Sequence, residues 1–132
     1  MGKEINLVHF ILYVADQSKS TSFYSTVLDR QPTLNVPGMT EFNIDDKCVI
    51  GLMPEQGIKR LLGDAIQDPS KGSRGPRAEL YLRVNDPELY HKRALAAGAK
   101  ELSELGQRDW GDIAAYSEDM DGHVLAFAKK TT

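Results

Sequence analysis

His9 and Glu79 are the residues of this chain whose types and positions best support chemistry. They open two copies of one pattern: HFILYVAD at 9–16 and ELYLRVND at 79–86 are each a strand-like apolar run that ends in Asp and leads into a helical pattern. Further on, VIGLM at 49–53 is echoed by VLAFA at 124–128, which sets Gly51 opposite Ala126. An imidazole and a carboxylate can ligate a metal, and two titratable groups sharing a partly buried site can be tuned for proton transfer. Tyr13, Tyr81 and Arg83 lie in the same runs, and Trp110 follows in RDWGD. Other chemistries are poorly supplied. Cys48 is alone, no Ser-His-Asp or Cys-His set stands out, and Gly57, Gly63, Gly72 and Gly75 do not make a phosphate loop.

The elements that must position these residues follow from the same pattern. A repeat of about 70–75 residues is too long for a solenoid unit and predicts two similar half-domains in one fold. Val8 to Val14 reads as a buried strand, Asp16 or Ser18 caps a helix carrying Phe23, Tyr24, Val27 and Leu28, and Pro32 and Pro37-Gly38 break the chain. Strands follow at 40–44 and 48–53, and 33–36 decides between βαβββ and βαββ. Residues 56–77 read as a connector: Ile58, Leu61 and Leu62 give one or two helical turns, and DPSKGSRGPR gives an exposed loop whose Lys71, Arg74 and Arg77 read as solvated. The second half starts with a strand at 79–84. Asp86-Pro87 starts a helix that Gly98 ends, and strands at 101–105, 113–117 and 124–128 complete a second βαβββ unit.

Composition bounds the function. A chain of 132 residues suits one domain, residues 1–132, with half-units at about 6–55 and 78–130. A formal charge of −3 argues against general binding of nucleic acid or anionic membrane. The longest apolar runs are strand-sized, the start MGKEINLVHF lacks a secretion pattern, and a single cysteine fits a reducing compartment, so a cytoplasmic location is expected.

Two βαβββ units with a DxDG turn, Asp119-Met120-Asp121-Gly122, before the last strand resemble the vicinal oxygen chelate superfamily. That group holds glyoxalases, bleomycin-resistance proteins and extradiol dioxygenases. The similarity rests most on HFILYVADQSKSTSFYSTVL and DWGDIAAYSEDMDGHVLAFA. It implies an α+β fold in which two paired βαβββ half-units curl mixed sheets around a cavity, with helices outside. It also implies metal-ligand positions at His9, Gly51, Glu79 and Ala126. Only His9 and Glu79 have donor side chains, whereas a divalent transition metal usually takes at least three protein ligands. No cofactor is therefore expected, with a divalent metal on His9 and Glu79 as the alternative.

Strand alternation then sets the expected cavity face. With His9 and Glu79 inward, Tyr13, Gly51, Met53, Tyr81, Arg83 and Ala126 line the cavity. Gly51 and Ala126 open its floor, and Trp110 offers a stacking wall at the mouth. Buried carboxylates are rare without a partner, so Glu79 is expected to have one: His9, Arg83, a metal or a ligand. The residues predict a protein that binds a small aromatic or cationic molecule without a complete metal site. One alternative is a metal-dependent lyase, isomerase or dioxygenase, and another is a metal-free acid–base enzyme using His9 and Glu79. The resemblance implies a homodimer.

Overall fold

The computed structural model describes residues 5–72 and 77–131. Arg74, Gly75 and Pro76 of the connector loop lie outside the described residues, as do residues 1–4, 73 and 132. The chain divides into two compact units, one of Met1–Ser25 with Asp29–Gly72, the other of Thr26–Leu28 with Ser73–Thr132.

The first unit holds β1 (Val8–Val14), α1 (Gln17–Leu28, its last turn grouped with the second unit), β2 (Leu34–Val36), β3 (Met39–Asp45), β4 (Cys48–Pro54) and α2 (Glu55–Leu62). Residues 34–36 form a strand, so the first half is βαβββ. Asp16 caps α1 by accepting from the Lys19 N–H at 3.0 Å. Along β1 and β4 the even positions Leu12, Val14, Ile50 and Leu52 are buried, as is Phe42 of β3. Sealing side chains of this size from water stabilises by roughly 1.5–3 kcal/mol each. Phe10 and Val8 share that parity yet remain 52% and 38% exposed, so the apolar alternation of β1 is only half used.

The second unit repeats the plan with β5 (Ala78–Arg83), α3 (Pro87–Ala96), β6 (Lys100–Gln107), β7 (Asp112–Glu118) and β8 (His123–Lys130). Asp86 accepts from the Leu89 N–H at 3.1 Å, with Pro87 in the first turn, and Gly98 takes the left-handed φ of 114° that releases the chain from α3. α3 lies on β6, β7 and β8, with Tyr90 against Phe127 at 5.6 Å between ring centres. Before β8, Asp119 accepts from the backbone N–H groups of Asp121 and His123, both at 2.9 Å, and its other oxygen meets His123 Nδ1 at 2.8 Å.

Both sheets have four strands in the same relative order, β1-β4-β3-β2 and β5-β8-β7-β6. In each, the first strand of the unit lies parallel to the last, and the last is antiparallel to the one before it. The internal repeat in the sequence is therefore a repeat of topology.

Candidate functional site

Cross-strand partners project from the same side of a sheet. In the second unit the register places Glu79, Val124 and Glu118 in one row, Tyr81, Ala126 and Tyr116 in the next, and Arg83, Ala128 and Ala114 in a third, with Lys130 opposite Asp112 beyond. Glu79, Tyr81, Arg83 and Ala126 thus share one face. Asp112, Tyr116 and Lys130, which alternation along single strands had not brought to them, share it too.

A chain of hydrogen bonds runs along that face. Trp110 Nε1–H donates to the Tyr81 hydroxyl at 2.9 Å, and the Tyr81 hydroxyl donates to Asp112 Oδ2 at 2.5 Å. Arg83 donates to the same oxygen through Nε and Nη2, each at 3.2 Å. On a flat sheet Tyr81 and Asp112 would stand two strands and four residues apart, roughly 10 Å by 13 Å, beyond the reach of the two side chains. Their bond shows that this sheet curls. Ala126 and Ala128, both buried, keep β8 low enough for the bond to pass over it.

The electrostatics follow from these contacts. The Tyr81 hydroxyl holds the Asp112 carboxyl below its ordinary range against the desolvation that would raise it, with Arg83 adding to the effect. Tyr81 is pushed up, first by desolvation and then by its bond to Asp112. Desolvation and the charge of Glu79 raise Tyr116, under which the Arg108 guanidinium lies 5.2 Å from the ring centre. Arg83 is therefore committed to Asp112 rather than to Glu79. Glu79 is exposed, so water serves it and the partner demanded of a buried carboxylate is not needed.

In the first unit His9, Ile11 and Tyr13 share a face with Val49, Gly51 and Met53 of β4 and with Glu41 and Asn43 of β3. His9 Nδ1 stands 3.6 Å from Glu41 Oε2. Tyr13 and Met53 pair in register and are half-buried. Gly51 does not open a floor. A methyl group there would meet Ile11 Cγ1 and Met39 Sδ, both at 3.3 Å, so those side chains already occupy its space. Ala126 is likewise fully buried. A separate groove of about 430 Å³ lies at the start of α1, lined by Ser18, Thr21, Ser22 and Asn35 among others. It could not be read from the sequence, because its walls combine the hydroxyls and amides of α1 with Val36 and Pro37 and carry no motif.

Glu41 and Asp112 are the functional candidates that sequence reasoning missed. Glu41 alternates with the buried Thr40 and Phe42, a signal present in TEFNID, but its neighbourhood depends on the β3–β4 register. Asp112 falls in RDWGD, just before the strand expected at 113–117, whereas β7 begins at Asp112 itself.

Among the described residues no group of three or more His, Cys, Asp or Glu side chains is placed to hold a metal ion. His9 with Glu41 supplies two donors, and Gly51 and Ala126 supply none.

Two βαβββ units of the same strand order, each with a polar sheet face, define a doubled βαβββ protein. The chain belongs to the Glyoxalase/Bleomycin resistance protein/Dioxygenase superfamily, whose family model matches residues 6–127. Among solved structures it is similar to a glyoxalase-related enzyme from Fulvimarina pelagi, with 20% identity, a TM-score of 0.76, and coverage of 94% of this chain and 87% of that one. A glyoxalase/bleomycin resistance protein/dioxygenase from Nocardioides gives 16% identity, a TM-score of 0.78 and coverage of 99% and 87%. A family enzyme from Burkholderia phytofirmans PsJN gives 17% identity, a TM-score of 0.75 and coverage of 96% and 98%. At these identities the likeness is one of fold. No curated protein matches the chain. No helix among the described residues is long and apolar enough to cross a membrane.

Proposed function

We propose that this chain binds a small molecule bearing an aromatic ring, on the β5–β8–β7 face of its second unit and without a resident metal. The observation that carries the reading is Trp110. Its indole is 54% exposed, yet its N–H is tied to Tyr81, so a large flat surface is offered to solvent in a fixed orientation. An aromatic wall held by a polar anchor binds planar groups with little ordering cost. The donor set supports the metal-free part: Gly51 and Ala126 replace side chains that a metal would need.

The test joins metal analysis to a binding screen. Untagged protein purified without chelators is expected to carry substoichiometric metal and to bind members of an aromatic panel, with Trp110→Ala abolishing the binding. Stoichiometric metal lost in His9→Ala would overturn the reading in favour of a metal-dependent lyase, isomerase or dioxygenase.

A second reading draws on the first unit. His9 and Glu41, 3.6 Å apart and part-exposed, form an imidazole–carboxylate pair suited to metal-free proton transfer, with Glu41 in the place first given to Glu79. A turnover assay on a true substrate that left His9→Ala and Glu41→Gln fully active would remove it.

The proposal extends to a homodimer. β1 is an edge strand of its sheet and exposes Val8, Phe10 and Ile11, with Leu7 just before it, apolar surface that a second copy would cover. A clean monomer on sizing chromatography with light scattering would refute this part. A cytoplasmic setting belongs to the same reading.

A further inference from the structure

The reading above leaves open what else the aromatic ligand carries, and the inference here rests on that reading. The decisive group is Arg83. A guanidinium has two edges that match a carboxylate: the side formed by Nε–H and Nη2–H, and the end formed by Nη1–H and Nη2–H. Arg83 uses the side edge on Asp112, through Nε at 3.2 Å and Nη2 at 3.2 Å. Nη2 also reaches the other Asp112 oxygen at 3.4 Å, whereas Nη1 makes no hydrogen bond to any described residue, and the side chain is 59% exposed. Asp112 therefore fixes the plane of the guanidinium and leaves the second fork facing water.

Charge favours an anion at that end. Asp112 is 1% exposed and already bonded to Arg83, whereas Lys130, its register partner, brings a second cation to that end. Glu79 and Glu118 lie at the opposite end, separated by the Tyr81 and Tyr116 row. The free fork also lies near the ring wall. Trp110 Nε1 and Arg83 are linked through Tyr81 and Asp112 by three consecutive hydrogen bonds, a span of no more than roughly 9 Å. That matches a one- or two-ring aromatic with an acid group on its rim.

We propose that this face recognises a planar aromatic carboxylate, its ring stacked on Trp110 and its carboxylate held by the Nη1–Nη2 edge of Arg83. Trp110 orients the ring through the Tyr81 anchor, and Asp112 orients the guanidinium. The two halves of the ligand meet groups joined by one hydrogen-bond chain, so binding either half stiffens the other.

The chain has a single tryptophan, so its indole N–H gives one resonance in a nitrogen–proton correlation spectrum. Full-length protein is titrated with 2-naphthoate, 2-naphthamide, 2-(aminomethyl)naphthalene and cyclohexanecarboxylate, following that resonance. The expected order places 2-naphthoate at least about tenfold tighter than the amide, the amine and the saturated acid. Arg83→Gln should bring naphthoate to the level of the amide and leave the amide unchanged. Arg83→Lys, which keeps the charge and loses the fork, should fall between them, and circular dichroism shows whether each variant is folded. An amine that binds as tightly as naphthoate overturns the carboxylate assignment while leaving the aromatic reading standing. A saturated acid that binds as tightly as naphthoate overturns the stacking. Binding by none of the naphthyl probes overturns both the assignment and the reading beneath it.

Discussion

The Tyr81 hydroxyl on β5 donates to Asp112 Oδ2 on β7 at 2.5 Å, across the intervening strand β8. This bond does three things. It keeps a buried carboxylate ionised, it leaves the Tyr81 oxygen free to accept from Trp110, and it holds the curl of the second sheet. Arg83 meets the same carboxylate, so one acidic group organises both the aromatic and the cationic part of the face.

Removing the hydroxyl should move the acid limb of the pH profile. Asp112 sits below its ordinary 3.8, so its contribution to stability is complete above that pH and is lost as pH falls through the lowered value. Tyr81→Phe deletes the largest cause of the lowering. Carbon-13 titration of the Asp112 carboxyl should then give a midpoint closer to 3.8, and acid unfolding should begin at higher pH. The Trp110 indole N–H loses its acceptor, so its proton resonance should move upfield.

Ala126→Leu tests the low strand under that bond. Ala126 is fully buried and in register with both Tyr81 and Tyr116. A leucine there overpacks the row and lifts Tyr81 from Asp112, at an expected cost of about 1–3 kcal/mol. Urea unfolding measures the loss, and the position of the Trp110 indole resonance shows whether the anchor has broken.

Gly51→Ala should behave differently. The added methyl meets Ile11 Cγ1 and Met39 Sδ at 3.3 Å, both in flexible side chains that can give by a few tenths of an ångström. The strand gains from replacing glycine while the neighbours resist, so the net change should stay within about 1 kcal/mol. A larger loss in urea unfolding would mean that Gly51 is held for close backbone packing.

Asp119→Asn probes the turn that starts β8. Asp119 accepts from two backbone N–H groups and meets His123 Nδ1 at 2.8 Å, all in a buried setting. The amide retains one acceptor oxygen, so the variant should lose about 1–3 kcal/mol. The loss should be read by thermal unfolding and should leave the Trp110 indole resonance in place, because the turn lies at the far end of β8 from Lys130 and Asp112.

Much of this architecture is determined by the sequence by itself. The repeat of HFILYVAD in ELYLRVND, the Asp caps, the Pro87 start and the DMDG turn are local signals, and each produced the element it predicts. Period-2 alternation likewise places Glu79, Tyr81 and Arg83 on one face, because it depends only on the pleat of a single strand. What the tertiary structure alone decides is which face residues touch. Asp112 reaches Tyr81 only because β8 lies between their strands in a particular register and the sheet curls over it. Glu41 comes beside His9 only through the pairing of β3 with β4 and of β4 with β1. Gly51 reads as space in the sequence and is filled in the fold, since neighbouring strands supply the Ile11 and Met39 side chains that take its place. Alternation is a property of one strand, whereas register and curl belong to several strands at once, so partners fixed by register cannot be read from any single run of residues.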